Sequence, residues 1–130
     1  MSNATAVSRA TPGQVLEAVV EGINTGDFGI LMDLYEPGAA FATAPGSLAP
    51  GLGGIREALG GFVAMRGKLD LEVKRVLEVG DLALVVGEWS FMGTGPDGQP
   101  VTLAARNADV LRRQADGSWR FVIDNPWGTG

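Results

Sequence analysis

Two aspartates near the C-terminus, Asp109 and Asp124, lie on either side of the turn sequence Asp116-Gly117. If that dipeptide is the two-residue loop of a β-hairpin, counting outward from it places the two aspartates opposite each other on one face of the sheet. Two carboxyl groups about 5 Å apart and shielded from water cannot both stay ionised cheaply, so one holds a proton. That acid can act as a general acid or donate a hydrogen bond to a substrate oxygen. One further loop residue would send the side chains to opposite faces, and a solvated face would leave both ionised.

The same count predicts what surrounds the pair. Leu111 and Val122 form the next pair on the face of the aspartates, and Asn107 lies on that face toward the open end of the hairpin. The other face carries an apolar strip formed by Trp119, Phe121 and Ile123 together with Val110 and Arg112. Because helices cover only one face of such a sheet, this second face predicts a homodimer formed through the sheet, with packing inside the chain as the alternative.

The composition limits the available chemistry. The chain of 130 residues has no cysteine and no histidine, which excludes thiolate nucleophiles, disulfides and imidazole bases. Proton transfer near neutral pH must then use a perturbed carboxyl group, a lysine, water or the single tyrosine, Tyr35. The net charge of -5 argues against nucleic acid as a partner.

Two further motifs predict no site. Asp27, Asp33 and Glu36 lack the spacing of a metal-binding loop, so we expect no metal. The segment GLGG at residues 51–54 precedes a predicted helix, but it has neither the lysine of a phosphate-binding loop nor a long preceding strand. We therefore expect no phosphate site and no cofactor.

Three helices are predicted in the first half of the chain. A capping box at Thr11 starts the first helix, which stops at residues 24–26, Asn-Thr-Gly. Asp27 can cap a second, short helix that ends at Pro37. A brief extended segment and a loop rich in glycine, proline and alanine then lead to a third helix from about Ile55.

The second half of the chain has the alternation typical of strands, interrupted only by Arg75 in the apolar row. Four antiparallel strands are predicted at residues 69–79, 82–92, 101–113 and 118–125. Helices followed by such a meander indicate an α+β fold with the helices on one sheet face. We expect a flexible N-terminus at residues 1–10 and a single domain at 11–130. With no signal peptide or membrane span in the sequence, we also expect a cytoplasmic protein.

The stretches VEGINTGDFGILMDLYEPGAAFATAPG, GIREAL and ADVLRRQADGSWRFVIDNPWG resemble the SnoaL-like and ketosteroid-isomerase-like members of the nuclear-transport-factor-2-like superfamily. The resemblance covers nearly the whole chain. It implies a cystatin-like α+β fold in which three N-terminal helices pack on a curved, mostly antiparallel sheet and form a cone-shaped pocket. It also implies a small apolar ligand at the open end of the cone and, usually, a homodimer.

The resemblance carries over only part of the isomerase machinery. The protonated aspartate of the isomerase matches Asp109, its tyrosine partner falls at Val19, and its base falls at Ala44. The same alignment places Asp124 on the pocket side of the last strand. We therefore expect no steroid double-bond isomerisation. A related epoxide-hydrolase group uses two aspartates and an arginine, but Arg106 has the wrong strand parity to share the face of Asp109.

Two functions remain open from the sequence. One is an acid-base enzyme, of cyclase, isomerase, lyase or hydrolase type, acting on a small apolar carbonyl compound with Asp109 and Asp124 as catalytic residues. The other is a non-catalytic domain that binds a ligand or dimerises. The predicted ligand-binding residues are Val19, Tyr35, Ala44, Trp89, Asn107, Leu111, Val122 and Trp127. The cone is either open or filled by Trp89, Phe91 and Trp127.

Overall fold

A computed structural model describes residues 8–128 and contains three helices and six strands in that range. In chain order the elements are α1 (Pro12–Thr25), α2 (Phe28–Met32), β1 (Tyr35–Ala44), β2 (Ser47–Pro50), α3 (Gly51–Ala64), β3 (Lys68–Val79), β4 (Leu82–Thr94), β5 (Pro100–Arg113) and β6 (Trp119–Asp124). Residues 1–7 of the segment expected to be flexible lie outside the described residues. The backbone carbonyl of Arg9 accepts a hydrogen bond from the Trp119 N–H at 2.9 Å.

The first helix begins and ends where the sequence predicts, and the second begins where it predicts. Thr11 and Gln14 form a capping box, and Gly26 ends α1 in the left-handed conformation, with φ of 69°. The Asp27 side chain then accepts a hydrogen bond from the Ile30 N–H at 3.1 Å and caps α2. The predicted end of α2 at Pro37 is wrong, because the helix ends at Met32 and Pro37 lies within β1.

The six strands form one mixed sheet in the order β2-β1-β6-β5-β4-β3. β1 pairs with β6 in parallel, and every other pairing between neighbours is antiparallel. The segment predicted as a loop before the third helix contains β2, and GLGG forms the first turn of α3. Residues 47–50 adopt an extended conformation because they pair with β1. This pairing is a tertiary contact, which local sequence patterns do not reveal.

The helices cover one face of the sheet, here called the inner face, and the core lies between them. Val85, Phe91 and Leu111 are fully buried on this face, against Leu16 of α1 and Ile55 of α3. The opposite, outer face exposes apolar side chains at Leu77, Val79, Leu82, Leu84, Met92 and Ile123. None of the helices within residues 8–128 is long and apolar enough to cross a membrane.

The loop of the last hairpin is one residue longer than predicted. Arg113 pairs with Trp119, and Gln114 N donates to the Ser118 carbonyl, so residues 115–117 form a three-residue loop. A bulge at Val122 then restores the original register, in which Val110 pairs with Ile123. The prediction that Trp119 and Phe121 lie on the outer face is therefore wrong.

Two corrections follow from the changed register on the loop side of the bulge. Trp119 and Phe121 are buried on the inner face, and Leu111 pairs with Phe121 instead of Val122. A second register shift, between Val73 and Arg75, explains the interrupted alternation in β3.

Candidate functional site

Asp109 and Asp124 lie opposite each other at the centre of the inner face, as the sequence predicts. The pair Val110 and Ile123 flanks them on one side, and the 3.0 Å hydrogen bond from Ala108 N to the Asn125 carbonyl flanks them on the other. Both carboxyl groups are buried, with 2% of Asp109 and 7% of Asp124 exposed. Their opposition depends on the bulge, because the longer loop alone would separate them to opposite faces.

Three hydrogen-bond partners hold the pair. Asp109 Oδ1 accepts from the Asn125 backbone N–H at 2.7 Å, and its Oδ2 accepts from Asn107 Nδ2 at 2.8 Å. Asp124 Oδ2 accepts from the Tyr35 hydroxyl at 2.5 Å, and the charge of Asp124 acts on the neighbouring Asp109. Tyr35 comes from β1, so three strands position the pair.

Burial keeps a proton on the pair. Burial raises the pKa of Asp109 well above its usual value, the charge of Asp124 raises it further, and the Asn125 and Asn107 hydrogen bonds oppose the rise without reversing it. Burial also raises the pKa of Asp124 to about 6, against the opposing hydrogen bonds from Tyr35 and Asp109. The Tyr35 pKa is raised well above 10 by burial and by the neighbouring Asp124 charge. Burial and the mutual charge therefore oppose ionisation of both carboxyl groups at once, which favours a singly protonated pair.

A cavity between the helices and the inner face gives access to the pair. Its lining residues are Leu16, Val19, Ile23, Phe41, Leu59, Phe62, Leu69, Leu71, Trp89, Asn107, Asp109, Phe121, Asp124 and Pro126. Only the two aspartates and Asn107 bring charged or amide groups to a wall that is otherwise almost entirely apolar. Water-sized molecules can place their centres in about 60 Å³ of the space. One water needs roughly 10–15 Å³, and a cavity that binds benzene has about 150 Å³, so this cavity suits a few small molecules or one compact ligand.

Aromatic side chains narrow the cavity without filling it. Trp89 packs edge-on against Phe62 and Trp127, with ring centroids 6.2 and 5.4 Å apart, and Phe91 packs against Phe62 at 5.4 Å. Trp89 Nε1 also donates to the Pro126 carbonyl at 2.7 Å, which ties the C-terminal turn to β4. The cavity is therefore neither fully open nor filled by Trp89, Phe91 and Trp127.

The structure brings five of the ten predicted site residues to the cavity wall: Val19, Trp89, Asn107, Asp109 and Asp124. Tyr35 and Trp127 do not line the cavity. Tyr35 donates a hydrogen bond to Asp124, and Trp127 packs against Trp89. Leu111 is buried beside Phe121, and Val122 is the bulge residue, so neither reaches the cavity.

Ala44 lies outside the cavity. It is exposed at the end of β1, where it pairs with Ser47, and Phe41 provides the part of the cavity wall that comes from β1. The family resemblance therefore identified β1 as the strand that contributes to the cavity wall, but it selected Ala44 instead of Phe41.

Several wall residues were missed by sequence reasoning. Leu16 and Ile23 share a helical face with Val19, so their spacing in α1 carried a usable signal. Phe121 was missed because the bulge has no evident sequence signature. Pro126 lies beyond the last strand, where no periodicity exists.

The three acidic residues considered as metal ligands make local contacts. Asp27 caps α2, Asp33 lies 3.9 Å from an Arg9 nitrogen, and Glu36 accepts hydrogen bonds from Arg112 and Gln114 at 2.9 and 2.8 Å. Within residues 8–128, no three histidine, cysteine, aspartate or glutamate side chains are grouped as a metal site requires.

Comparison with known proteins identifies the family of this architecture. The sequence model described as "SnoaL-like domain" matches residues 16–122. No curated protein matches the chain.

Solved structures share its fold. A ketosteroid isomerase-like protein from Erwinia carotovora atroseptica SCRI1043 is 21% identical with a TM-score of 0.75, covering 89% of this chain and 92% of the other. A nuclear transport factor 2-like superfamily protein from Salmonella enterica serovar Typhimurium LT2 is 21% identical with a TM-score of 0.74, covering 90% and 89%. A nuclear transport factor 2-like protein with a cystatin-like fold from Novosphingobium aromaticivorans is 19% identical with a TM-score of 0.70, covering 85% and 75%. At these identities the similarity establishes the curved-sheet α+β fold and leaves the reaction open.

Proposed function

This chain belongs to the SnoaL-like domain family, and from that premise we propose that it binds a small, largely apolar carbonyl compound and catalyses proton transfer on it. One observation carries the proposal. The three buried polar or charged residues of the described chain, Asn107, Asp109 and Asp124, all converge on one apolar cavity. Burying a carboxyl pair is costly, and sites that bear this cost are commonly catalytic.

The pair supplies an acid and a base at the same time. The Asp124 carboxylate removes a proton from the carbon next to the carbonyl group, and the C–H electron pair becomes a carbon-carbon double bond. The electrons of the carbonyl π bond move to its oxygen, which accepts the proton of Asp109 and yields an enol. Asp124 then returns its proton to the same or another carbon, and the enol hydroxyl group returns its proton to Asp109. The pair is thereby regenerated, and the product is an exchanged or isomerised ketone.

Three neighbouring groups position the acids. The Tyr35 hydroxyl fixes one oxygen of Asp124, while the Asn125 N–H and the Asn107 amide fix both oxygens of Asp109. Steroid double-bond isomerisation is not part of the proposal. By the family resemblance Val19 falls where that enzyme has its tyrosine, and Phe41, the wall residue from β1, has no group that could act as a base. The cavity is also too small for a steroid without rearrangement.

A second function has its own supporting observation. Both oxygens of Asp109 already accept hydrogen bonds, one from Asn107 on the same strand and one from the Asn125 N–H in the turn after β6. Asp109 can therefore serve to hold the C-terminal turn, in which case the cavity binds a ligand without converting it. We also propose that a second copy of the chain covers the outer sheet face, because apolar side chains such as Leu77 and Leu84 are exposed there.

Hydrogen-deuterium exchange separates catalysis from binding. Proton NMR in D₂O would follow loss of the signals of protons next to the carbonyl group of butan-2-one and hydroxyacetone. We expect the wild-type protein to accelerate exchange and Asp124→Asn to lose at least about 100-fold of that acceleration, the scale of general-base catalysis. Asp70→Asn, which removes an exposed aspartate from β3, is the matched control and retains the rate. Ketone binding without accelerated exchange would establish the non-catalytic alternative.

A further inference from the structure

The acid pair has no positively charged partner in the protein. All 10 lysine and arginine residues of the chain lie within residues 8–128, and none of them borders the cavity. Five acids nearer the surface, by contrast, form ion pairs of 2.9 to 3.9 Å with basic side chains: Asp33, Glu36, Glu72, Asp81 and Glu88. The two buried acids are therefore the ones whose negative charge the protein leaves unbalanced.

One oxygen of the pair is open to a ligand. Both oxygens of Asp109 and Oδ2 of Asp124 accept hydrogen bonds, whereas no amide, hydroxyl or basic group of residues 8–128 donates to Asp124 Oδ1. The unpaired side-chain atoms that are fully enclosed by protein are Asn107 Oδ1, Arg120 Nε and Trp127 Nε1, and Asp124 Oδ1 is not among them. Since Asp124 lines the cavity and is 7% exposed, its Oδ1 is the unpaired oxygen that a ligand can contact.

Aromatic rings form much of the cavity wall. Phe41, Phe62, Trp89 and Phe121 contribute rings from β1, α3, β4 and β6. The face of an aromatic ring attracts a cation that lies within about 6 Å of the ring centre, and this attraction is stronger at a site from which water is excluded. The wall is thus suited to a cation that carries carbon groups.

The charge of the wall selects the charge of the ligand. An anion would add a second negative charge beside the pair, and no basic group of the wall would balance it. A small ammonium ion balances the charge of the pair, and its N–H group supplies the donor that Asp124 Oδ1 lacks. A bare metal ion needs more oxygen ligands than the described residues group together here.

We infer that this cavity binds small organic ammonium ions, with an N–H group on Asp124 Oδ1 and the carbon groups against the apolar wall. The inference goes beyond the proposed function, because such an ion has no carbonyl group. About 60 Å³ of space open to water-sized molecules is less than half of the roughly 150 Å³ of a cavity that binds benzene, so a compact ion fits best.

Three probes with the same number of non-hydrogen atoms separate charge from size. At neutral pH isopropylammonium is a cation, propan-2-ol is uncharged and acetate is an anion. The NMR signal of the Trp89 indole in ¹⁵N-labelled protein reports occupation of the cavity and gives a Kd for each probe. At about 0.15 M salt, which screens exposed acids, we expect wild-type protein to bind isopropylammonium at least about tenfold more tightly than propan-2-ol, and acetate more weakly than either.

A pair of variants tests whether Asp124 is the binding group. Asp124→Asn should lose the preference for isopropylammonium over propan-2-ol, because the amide has no charge to balance that of the ion. Asp70→Asn removes an exposed acid from β3 and should keep the preference. The comparison separates binding in the cavity from attraction to the net negative charge of the protein.

A pH series gives a readout that needs no variant. The titratable groups that face Asp124 are Asp109 of β5 and Tyr35 of β1, while the helices, β3 and β4 bring only uncharged side chains to the cavity. Burial raises the pKa of Asp124 to about 6, so lowering the pH from 7.5 to 5 neutralises its carboxylate. Affinity for isopropylammonium should fall about tenfold over this range, and affinity for propan-2-ol should stay constant.

The inference and the proposed function fail on different results. Equal Kd values for isopropylammonium and propan-2-ol in wild-type protein overturn the inference, as does a preference that persists in Asp124→Asn. Absence of binding by all three probes overturns it as well, while exchange of the ketone protons still decides the proposed function. If Asp124→Asn does not fold, the pH series is decisive, because a preference that is unchanged from pH 7.5 to 5 overturns the inference.

Discussion

At the scale of single residues, a line of hydrogen bonds crosses three strands from Tyr35 to Asn107. The Tyr35 hydroxyl donates to Asp124, the two carboxyl groups interact, and Asn107 donates to Asp109. Hydrogen bonds of this kind satisfy buried polar atoms and fix their positions, but they do not remove the cost of burying a charge. The pair is therefore a source of instability that depends on protonation.

The raised pKa values predict that stability falls as pH rises. The Asp124 pKa is 3.8 in the absence of the fold, and burial raises it to about 6 in the folded protein. Between these values the folded protein binds more protons than the unfolded chain, so the free energy of unfolding decreases as pH rises through the window. A shift of about two pKa units corresponds to roughly 3 kcal/mol, and the raised pKa of Asp109 extends the decrease to higher pH.

Urea unfolding between pH 4 and 8 measures this dependence. Between pH 4 and pH 7.5, the free energy of unfolding of wild type should fall by about 2–3 kcal/mol more than that of Asp124→Asn. The variant has no carboxyl group at position 124 that would ionise inside the protein. Asp70→Asn controls for loss of one negative charge at an exposed position. Parallel pH profiles for wild type and Asp124→Asn would show that the pair carries no buried charge.

At the scale of elements, the last hairpin shows why the site was predictable and its surroundings were not. Counting from Asp116-Gly117 with strict alternation paired Asp109 with Asp124 correctly, because the extra loop residue and the bulge at Val122 offset each other. The sequence has no signal for the extra loop residue or for the bulge at Val122. The predicted register is therefore off by one residue between the loop and the bulge and correct again from Ile123 onward. The positions between them, including Phe121, were consequently assigned to the wrong face.

β2 and Ala44 show a second limit. Ser47–Pro50 becomes a strand only because β1 lies beside it, and such pairing over a tight turn has weak local signals. The resemblance to a known family identified the fold correctly, but it placed Ala44 in the pocket. A short strand changes the path of the loop there, and only coordinates show that Phe41 is the residue that reaches the cavity.

The amino-acid composition of α3 is unfavourable for a helix. Five of its 14 residues are glycines, yet it supplies Leu59 and Phe62 to the cavity wall. A Cβ atom at Gly61 would contact nothing within 4 Å, so Gly61→Ala should raise the free energy of unfolding by about 0.5–1 kcal/mol.

A glycine just beyond the same helix provides the contrast. A Cβ atom at Gly67 would lie 2.1 Å from the Met92 carbonyl oxygen, which belongs to the backbone and cannot turn away. Urea unfolding at a single pH should therefore show Gly67→Ala destabilised by more than about 2 kcal/mol. Equal effects of the two substitutions would mean that packing at the α3–β3 junction differs from the structure.

At the scale of the whole molecule, the outer sheet face is the surface that remains apolar. Leu77 pairs with Leu84, Leu84 with Val110, and Val110 with Ile123, so one apolar row crosses four strands. Leu77 is 54% exposed, and Leu84 and Ile123 are 38% and 39% exposed. The predicted apolar outer face therefore exists, although its members come mainly from β3 and β4 and only Val110 and Ile123 belong to the strip first expected.

A second copy of the chain is the simplest partner for this row. A two-fold dimer needs a surface that complements itself, and an apolar row crossing a sheet meets this condition because it carries no charge that would oppose its own copy. Charged residues lie at its flanks, with Arg106 and Glu88 3.6 Å apart on one side and Arg112 on the other. This arrangement resembles an apolar interface centre with a polar rim.

Analytical ultracentrifugation tests the dimer, with Leu84→Glu as the disrupting variant. Wild-type protein should sediment as a dimer at micromolar concentration, and Leu84→Glu as a folded monomer, because a buried unpaired carboxylate at the interface costs several kcal/mol. Ser90→Glu adds the same charge to an exposed position of the same strand, farther along β4, and should remain dimeric. A monomeric wild type, or a Leu84→Glu variant that stays dimeric, would exclude this face as the interface. Because the row and the cavity lie on opposite faces of the sheet, the monomeric variant should also keep its affinity for hydroxyacetone.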